Sequence, residues 1–531
     1  MSDDPHDDEV PGPVLQPGVT CWRSERAGRF ARLVDGADYL YYVKEAMLSA
    51  RRRIMLIGWD LDARTAFEPT GSTLSGPDTL GLFLTWLVWR RPELEIYLLK
   101  SNLRLLPALD EFWWGLTPVS LVNRLTLPRM HFAVDGARPT GAVHHQKIVV
   151  VDDAVAFCGG IDLTLGRWDR RDHARHDRGR STAGHTYGPR HEVAAVVDEA
   201  AARVLADQAR QRWHDATGTE LEPVSPTGET WPRGLSPDVR DVDVAIARTL
   251  PSFGPRAEVR EVEALNLAAI ASARKVIYLE NQYLASRRLA DALAARLREP
   301  DGPEVVIVLP RSSESRLEEA SMDSARERLL RKLWNADEHN RFGVYWPVTT
   351  GGLPVYVHSK VMVIDDRLLR IGSSNLNNRS LGFDSECDVA IEAGERADVA
   401  HEILLARDDL VAEHLGVSVT EFRRELERRG SFLAAVNASR STGRSLRSFT
   451  RFMVSRDAGP LGENDLMDPD HVPPSLLDGF ASLMTGLVLW PVARVYPNIV
   501  SYITSWVRTE SDVADDQLMS APTRGAQHEK G

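Results

Sequence analysis

The chain has 531 residues, enough for two or three domain-sized units that each bury a core. Its formal net charge of -12 argues against a nucleic-acid partner, because phosphate binding leaves a basic footprint. Three widely separated cysteines, Cys21, Cys158 and Cys387, offer neither a disulfide framework nor a zinc-ligand spacing, and they fit a reducing compartment.

In chain order, residues 1–17 are polar and Asp/Pro-rich, lack the apolar run of a secretory signal and read as a disordered tail. Ala46–Trp59 and Ala269–Tyr283 each read as a helix end running into a buried strand, and both carry a Ser-Ala-Arg junction. Pro92–Leu99 and Pro303–Leu309 follow as short apolar runs, typical of strands buried on both faces. Each half then reaches one phrase, a His, one residue, a Lys, four residues and an Asp: His145, Lys147, Asp152 and His358, Lys360, Asp365. A glycine-led turn follows each, Gly159-Gly160-Ile161-Asp162 in the first half and Gly372-Ser373-Ser374-Asn375 in the second. The Arg/His-rich stretch from Arg167 to His191 lengthens the first half and reads as a surface loop.

The implied fold class is α/β: two tandem α/β/α-sandwich repeats, at 18–225 and 226–415, related by a pseudo-two-fold axis around one shared active site. Residues 416–508 read as a mainly helical extension and 509–531 as a second disordered tail. Within the extension, Arg440, Arg444, Arg447 and Arg451 fall at helical spacing beside Leu446, Phe449 and Phe452. That basic face either stays solvated or docks on anionic lipid. Gly479–Ala493 is apolar but short and Pro-interrupted, and reads as a buried helix in preference to an interfacial anchor. Nothing approaches the ~18 uninterrupted apolar residues of a spanning helix. A cytoplasmic location is expected, with at most peripheral attachment to a membrane.

The duplicated phrase carries the chemistry. On a strand, side chains two apart share a face, so His145 and Lys147 point the same way, as do His358 and Lys360. Asp152 and Asp365 lie an odd number of residues from their histidines and brace the turn at the strand end. Gly160 and Ser373 stand where backbone approaches an anion closely. Two histidines, two lysines and Asn375 around one cleft suit a tetrahedral phosphate. One imidazole attacks phosphorus, the other protonates the leaving oxygen, and the lysines and Asn375 offset charge on the remaining oxygens. Each nucleophilic ring needs an acceptor for its other nitrogen, and the internal alignment nominates Glu192 and Glu386.

These paired phrases resemble those of the phospholipase D superfamily. Gly159–Asp169, Ile277–Tyr283 and Gly372–Glu386 resemble its eukaryotic-type, phosphatidylcholine-hydrolysing branch, over roughly residues 20 to 415. The resemblance implies hydrolysis of the distal phosphodiester of a glycerophospholipid through a phosphohistidine, giving phosphatidic acid and a free headgroup. It also implies transfer to a primary alcohol in place of water. By the family's usual assignment His145 is the nucleophile and His358 the general acid, although the internal symmetry makes the order reversible. Asp162, where the second half has Asn375, matches the branch's first half, and the resemblance places Glu280 and Gln282 at the edge of the site. The expected partner is a phospholipid at a membrane surface. No metal or other cofactor is expected, and calcium dependence has no support, because the repeats leave no room for accessory lipid-binding domains. Two alternatives stay open: a cardiolipin-synthase-like phosphatidyltransferase, whose usual N-terminal spanning helices are not seen, and a nuclease or phosphodiesterase of the same superfamily.

Overall fold

The computed structural model describes residues 12–101, 112–113, 117–118, 128–182, 185–226, 228–314, 322–453 and 468. In the first repeat β1 (Arg23–Val34) leads into α1 (Asp35–Ser49), β2 (Arg53–Gly58), α2 (Leu80–Arg90), β3 (Glu95–Ser101) and β4 (Met130–Asp135). An antiparallel pair, β5 (Ile148–Val151) and β6 (Val155–Gly159), precedes β7 (Val193–Asp198) and α3 (Glu199–Thr217). The second repeat runs β8 (Val239–Leu250), α4 (Glu261–Ser272), β9 (Val276–Glu280), α5 (Arg287–Arg298), β10 (Glu304–Val308), α6 (Ser324–Ala336) and β11 (Phe342–Val348). It continues with β12 (Val361–Ile364), β13 (Leu368–Gly372), β14 (Glu386–Glu392) and α7 (Ala397–Leu415).

The strand order is β4-β3-β2-β5-β6-β7-β1 in the first repeat and β11-β10-β9-β12-β13-β14-β8 in the second, one pattern used twice. Its three outer strands run parallel and the rest antiparallel. The halves fuse into one continuous sheet because β1 and β8 pair antiparallel, Arg23 opposite Ile246 and Phe30 opposite Val239. An antiparallel seam between equivalent strands is what a pseudo-two-fold axis requires. The central strands β2, β5, β6 and β7 are buried along their whole length, consistent with their unbroken apolar runs.

Helices cover both faces. On one, α3 and α7 share a single apolar cluster that spans the repeats, with Leu205 and Trp213 from α3 and Ile403 and Leu410 from α7. On the other face each repeat has its own cluster. Tyr39 and Val43 of α1 pack there with Phe83 and Leu87 of α2, and Leu265 of α4 packs with Leu293 of α5 and Leu333 of α6. The architecture is the α/β/α arrangement read from the sequence.

Three local readings change. The N-terminal tail ends earlier, since Val14 is buried and its N–H, with that of Leu15, donates to the Glu392 carboxylate. The segment after the second repeat begins with helices, α8 (Val419–Arg429) and α9 (Phe432–Ala438), but then forms a strand, β15 (Ser445–Ser448), paired antiparallel with β11. Arg440, Arg444, Arg447 and Arg451 therefore do not line one helix face. The open edge of β11 supplies ladder hydrogen bonds that outweigh the helical spacing, and the Arg440 guanidinium lies over the Tyr345 ring. The apolar segment at 479–493 and the tail at 509–531 lie outside the described residues.

The motif aspartates act on this framework. Asp152 accepts the backbone N–H groups of Arg51, Arg52 and Arg53, and Asp365 those of Arg274, Lys275 and Val276. Each pins the helix-to-strand junction that enters β2 or β9, at the end of the sheet remote from the motif histidine. Replacing Asp365 with Ala strands three charge-assisted bonds and should cost about 2–4 kcal/mol. A chemical-denaturation midpoint unchanged from wild type would contradict that bracing role.

Candidate active site

The motif histidines do not sit within strands. His145 and Lys147 precede β5, and His358 and Lys360 precede β12, in extended segments that cross to the opposite repeat. His144 forms a parallel bridge with Ser385, and Arg190–His191 pair in parallel with Tyr356–Val357. The His145 N–H donates to the Ser385 carbonyl at 2.9 Å and the His358 N–H to the His191 carbonyl at 2.8 Å. Backbone that would have continued the ladder is used instead to bring the two phrases together.

The carboxylates are exchanged the same way. Nδ1 of His145 lies 2.9 and 3.0 Å from the two oxygens of Glu386, which belongs to the second repeat. Nδ1 of His358 lies 3.4 Å from Glu192, which belongs to the first. The two pairs are not equal. Glu386 also accepts the hydroxyls of Ser373 and Ser380, so its oxygens are held by neutral donors. Glu192 faces two guanidinium groups, Arg167 at 3.3 Å and Arg190 at 3.7 Å, and makes no hydrogen bond to its histidine. Among the described residues no protein hydrogen bond takes up Nε2 of either ring.

The lysines curl back so that Nζ of Lys147 donates to the His145 carbonyl and Nζ of Lys360 to the His358 carbonyl. Lys147 pairs with Asp162 at 3.1 Å, and Asp162 also accepts the Trp59 N–H. Lys360 reaches Gln282 at 3.2 Å, which puts Gln282 beside the second motif. Gly160 packs against the other repeat's motif: a Cβ there would stand 3.1 Å from the His358 carbonyl oxygen. The Asn375 side-chain oxygen is buried without a hydrogen-bond partner. Glu280 does not line the site. It lies beneath, accepting from Tyr278 and Ser359 hydroxyls and bonded to His191 and His414, because a strand-end side chain there points into the α7 side of the sheet.

Burial, reinforced by Lys147 and Lys360, holds the His145 imidazole well below its ordinary range. Burial with Lys360, Arg167 and Arg190 does the same for His358. Burial and the Lys147 charge push the Lys360 ammonium down. Burial raises the Glu386 carboxyl to about 8, against the lowering effect of Lys147 and the two serine hydroxyls. Two uncharged rings beside the Lys147 and Lys360 side chains make a pocket suited to an anion that bridges the rings.

The stretch from Arg167 to His191 is a surface loop only in part: Arg170, Asp172, Arg175, His176 and Arg178 are exposed. Trp168, Asp169, His173, Arg180 and His191 are buried, because its charges neutralise one another: Asp169 takes Arg180 and the His173 ring. It forms the wall behind His358. Arg167, Arg190 and Ser380 were missed as site residues. The internal alignment had a cue for the wall, since His191 precedes Glu192 as Ser385 precedes Glu386, and both carbonyls accept a motif histidine.

Residues 267–406 match the family model described as cardiolipin synthase, PLD-like domain. The chain is 22% identical over 475 residues to phospholipase D A of Dictyostelium discoideum, covering 72% of this chain and 35% of that protein. It is 23% identical over 497 residues to phospholipase D alpha 4 of Arabidopsis thaliana, covering 71% of this chain and 63% of that protein. The chain thus spans between about a third and two-thirds of the length of these curated relatives. Among solved structures, phosphatidylserine synthase of Haemophilus influenzae Rd KW20 superposes with a TM-score of 0.51 at 13% identity, covering 89% of this chain and 96% of that one. That likeness is one of fold.

The His145–Glu386 contact should titrate visibly. Above about pH 8 the carboxylate holds the ring as the Nδ1–H form, leaving Nε2 bare; acidification protonates Glu386 and releases that constraint. Nitrogen-15 spectra of histidine-labelled protein should show the His145 tautomer shifting near that pH, and Glu386→Gln should erase the inflection. A tautomer ratio constant through the neutral range would refute the assignment.

Proposed function

We propose that this chain, which belongs to the phospholipase D superfamily, cleaves the distal phosphodiester of a glycerophospholipid such as phosphatidylcholine, yielding phosphatidic acid and the free headgroup. The observation that carries the reading is the crossed arrangement of two His–Glu pairs about one lysine-flanked pocket. The substrate is a phospholipid presented at a membrane surface, with water or a primary alcohol as acceptor. Among the described residues no helix is long and apolar enough to cross a membrane.

Nε2 of His145 attacks phosphorus while His358 gives a proton to the departing headgroup oxygen. A covalent phosphohistidine results. Water, or an alcohol, then attacks from the vacated side, His358 takes its proton, and the His145–phosphorus bond breaks. The inequality of the two pairs supports His145 as the nucleophile. With Glu386 ionised, Nδ1 of His145 has a close acceptor that forms no ion pair with an arginine or lysine among the described residues, which raises electron density at Nε2. Glu192 is already offset by Arg167 and Arg190, so His358 is less well held as a base and better disposed to part with a proton. The arriving phosphate supplies the negative charge that lets His358 carry that proton. Lys147, Lys360 and Asn375 stabilise the oxygens of the five-coordinate transition state, so the step calls for no calcium and no other cation at the phosphate.

Mass spectrometry of products from mixed phospholipid vesicles, with and without ethanol, tests the reading. Phosphatidic acid alone, and phosphatidylethanol with the alcohol, is the outcome anticipated. Diphosphatidyl lipid would instead favour the synthase reading named by the matching family model, and neither product would return the nuclease reading to consideration. His145→Ala should lower turnover by at least about 10³-fold and His358→Ala by about 10²–10⁴-fold. Glu386→Gln, acting only through the ring, should cost about 10–100-fold.

A further inference from the structure

We propose that Asp35, His173, His191 and Glu413 form a structural site for one divalent transition-metal ion of the zinc class, separate from the phosphate pocket. The four side chains are fully buried and present one donor atom each within 4.8 Å of the others. Nδ1 of His191 is 3.1 Å from Asp35 and 3.0 Å from Glu413; Nε2 of His173 is 3.5 Å from Asp35 and 3.2 Å from Glu413. Donors on a tetrahedron of radius about 2.0–2.2 Å stand about 3.3–3.6 Å apart; the four histidine–carboxylate contacts, which use Oδ1 of Asp35 towards His191 and Oδ2 towards His173, lie within a few tenths of an ångström of that spacing.

Proton placement points the same way. The second nitrogen of each ring is already committed: Nδ1 of His173 lies 2.9 Å from Asp169, and Nε2 of His191 lies 2.9 Å from Glu280. With those nitrogens donating, both remaining lone pairs face two carboxylates. Lone pairs converging in this way repel unless positive charge lies between them, which means either two added protons or one divalent cation. Oδ2 of Asp35 and Nε2 of His173 are buried without a hydrogen bond. One ion at the centre satisfies both. The flanking Asp169 and Glu280 then fix the ring orientations, as carboxylates behind metal-bound histidines do. The neighbouring group of His191, Glu280 and His414 is a weaker candidate, because Glu280 already takes the hydroxyls of Tyr278 and Ser359.

The ion would fasten the first turn of α1 and the 167–191 wall to α7 of the other repeat. His191 carries the carbonyl that accepts the His358 N–H, and Glu192 is the next residue. The metal therefore positions the His358 half of the active site without touching substrate. Binding to neutral imidazoles and ionised carboxylates displaces the protons that otherwise hold the cluster together.

Full-length protein produced in zinc-supplemented medium and purified without chelator should carry about one zinc per chain by elemental mass spectrometry. His173→Gln and Glu413→Gln should each reduce that at least about tenfold, whereas His414→Asn should leave it in place. Protein produced with cobalt provides a check independent of the variants' folding, because a four-coordinate Co2+ absorbs strongly in the visible. Folded wild-type protein with no zinc, cobalt, manganese or iron would overturn the proposal and leave an ion-pair network in its place. Zinc bound equally by wild type and both variants would also overturn it.

Discussion

The antiparallel pairing of β1 with β8 is the constraint from which the site follows. It fixes the two halves face to face about an axis, so any segment that overshoots the seam in one half meets its counterpart from the other. The segments that overshoot are the ones holding His145 and His358, and they arrive beside Ser385-Glu386 and His191-Glu192. A parallel seam, or two independent sheets, would leave each imidazole beside its own repeat's glycine turn and without a carboxylate.

Symmetry at the level of backbone is broken at the level of charge. Both rings are kept neutral by burial and by the lysines, yet one carboxylate is held by serines and the other by arginines. The longer 167–191 segment of the first repeat supplies those arginines, so the insertion that spoils the repeat is also what differentiates the two halves chemically. This gives a physical ground for distinct roles that the duplicated phrases alone do not supply.

Much of the fold was readable because it rests on local patterning. The apolar runs at β2, β9, β3 and β10 are buried on both faces and could be little else. Asp152 and Asp365 betrayed a bracing role by their parity. What escaped reading were relations between distant residues. The 167–191 stretch looked solvated since its charges are indistinguishable from surface charges until their partners are known. Arg440 to Arg451 kept a helical spacing while a sheet edge claimed the backbone. Glu280 stood at a strand end that faces α7 rather than the pocket. Internal alignment nominated Glu192 and Glu386 as the orienting carboxylates, and each lies beside a motif histidine, but which ring each one faces is set only by the seam.

The exchange of carboxylates has a bearing on how such a molecule can change over generations. Neither copy holds a complete working unit, so a substitution at Glu386 registers on a ring encoded 241 residues earlier, at His145. The two copies are free to drift apart in loops and in helix surfaces, yet at these positions each is hostage to the other. Duplication here did not yield a spare.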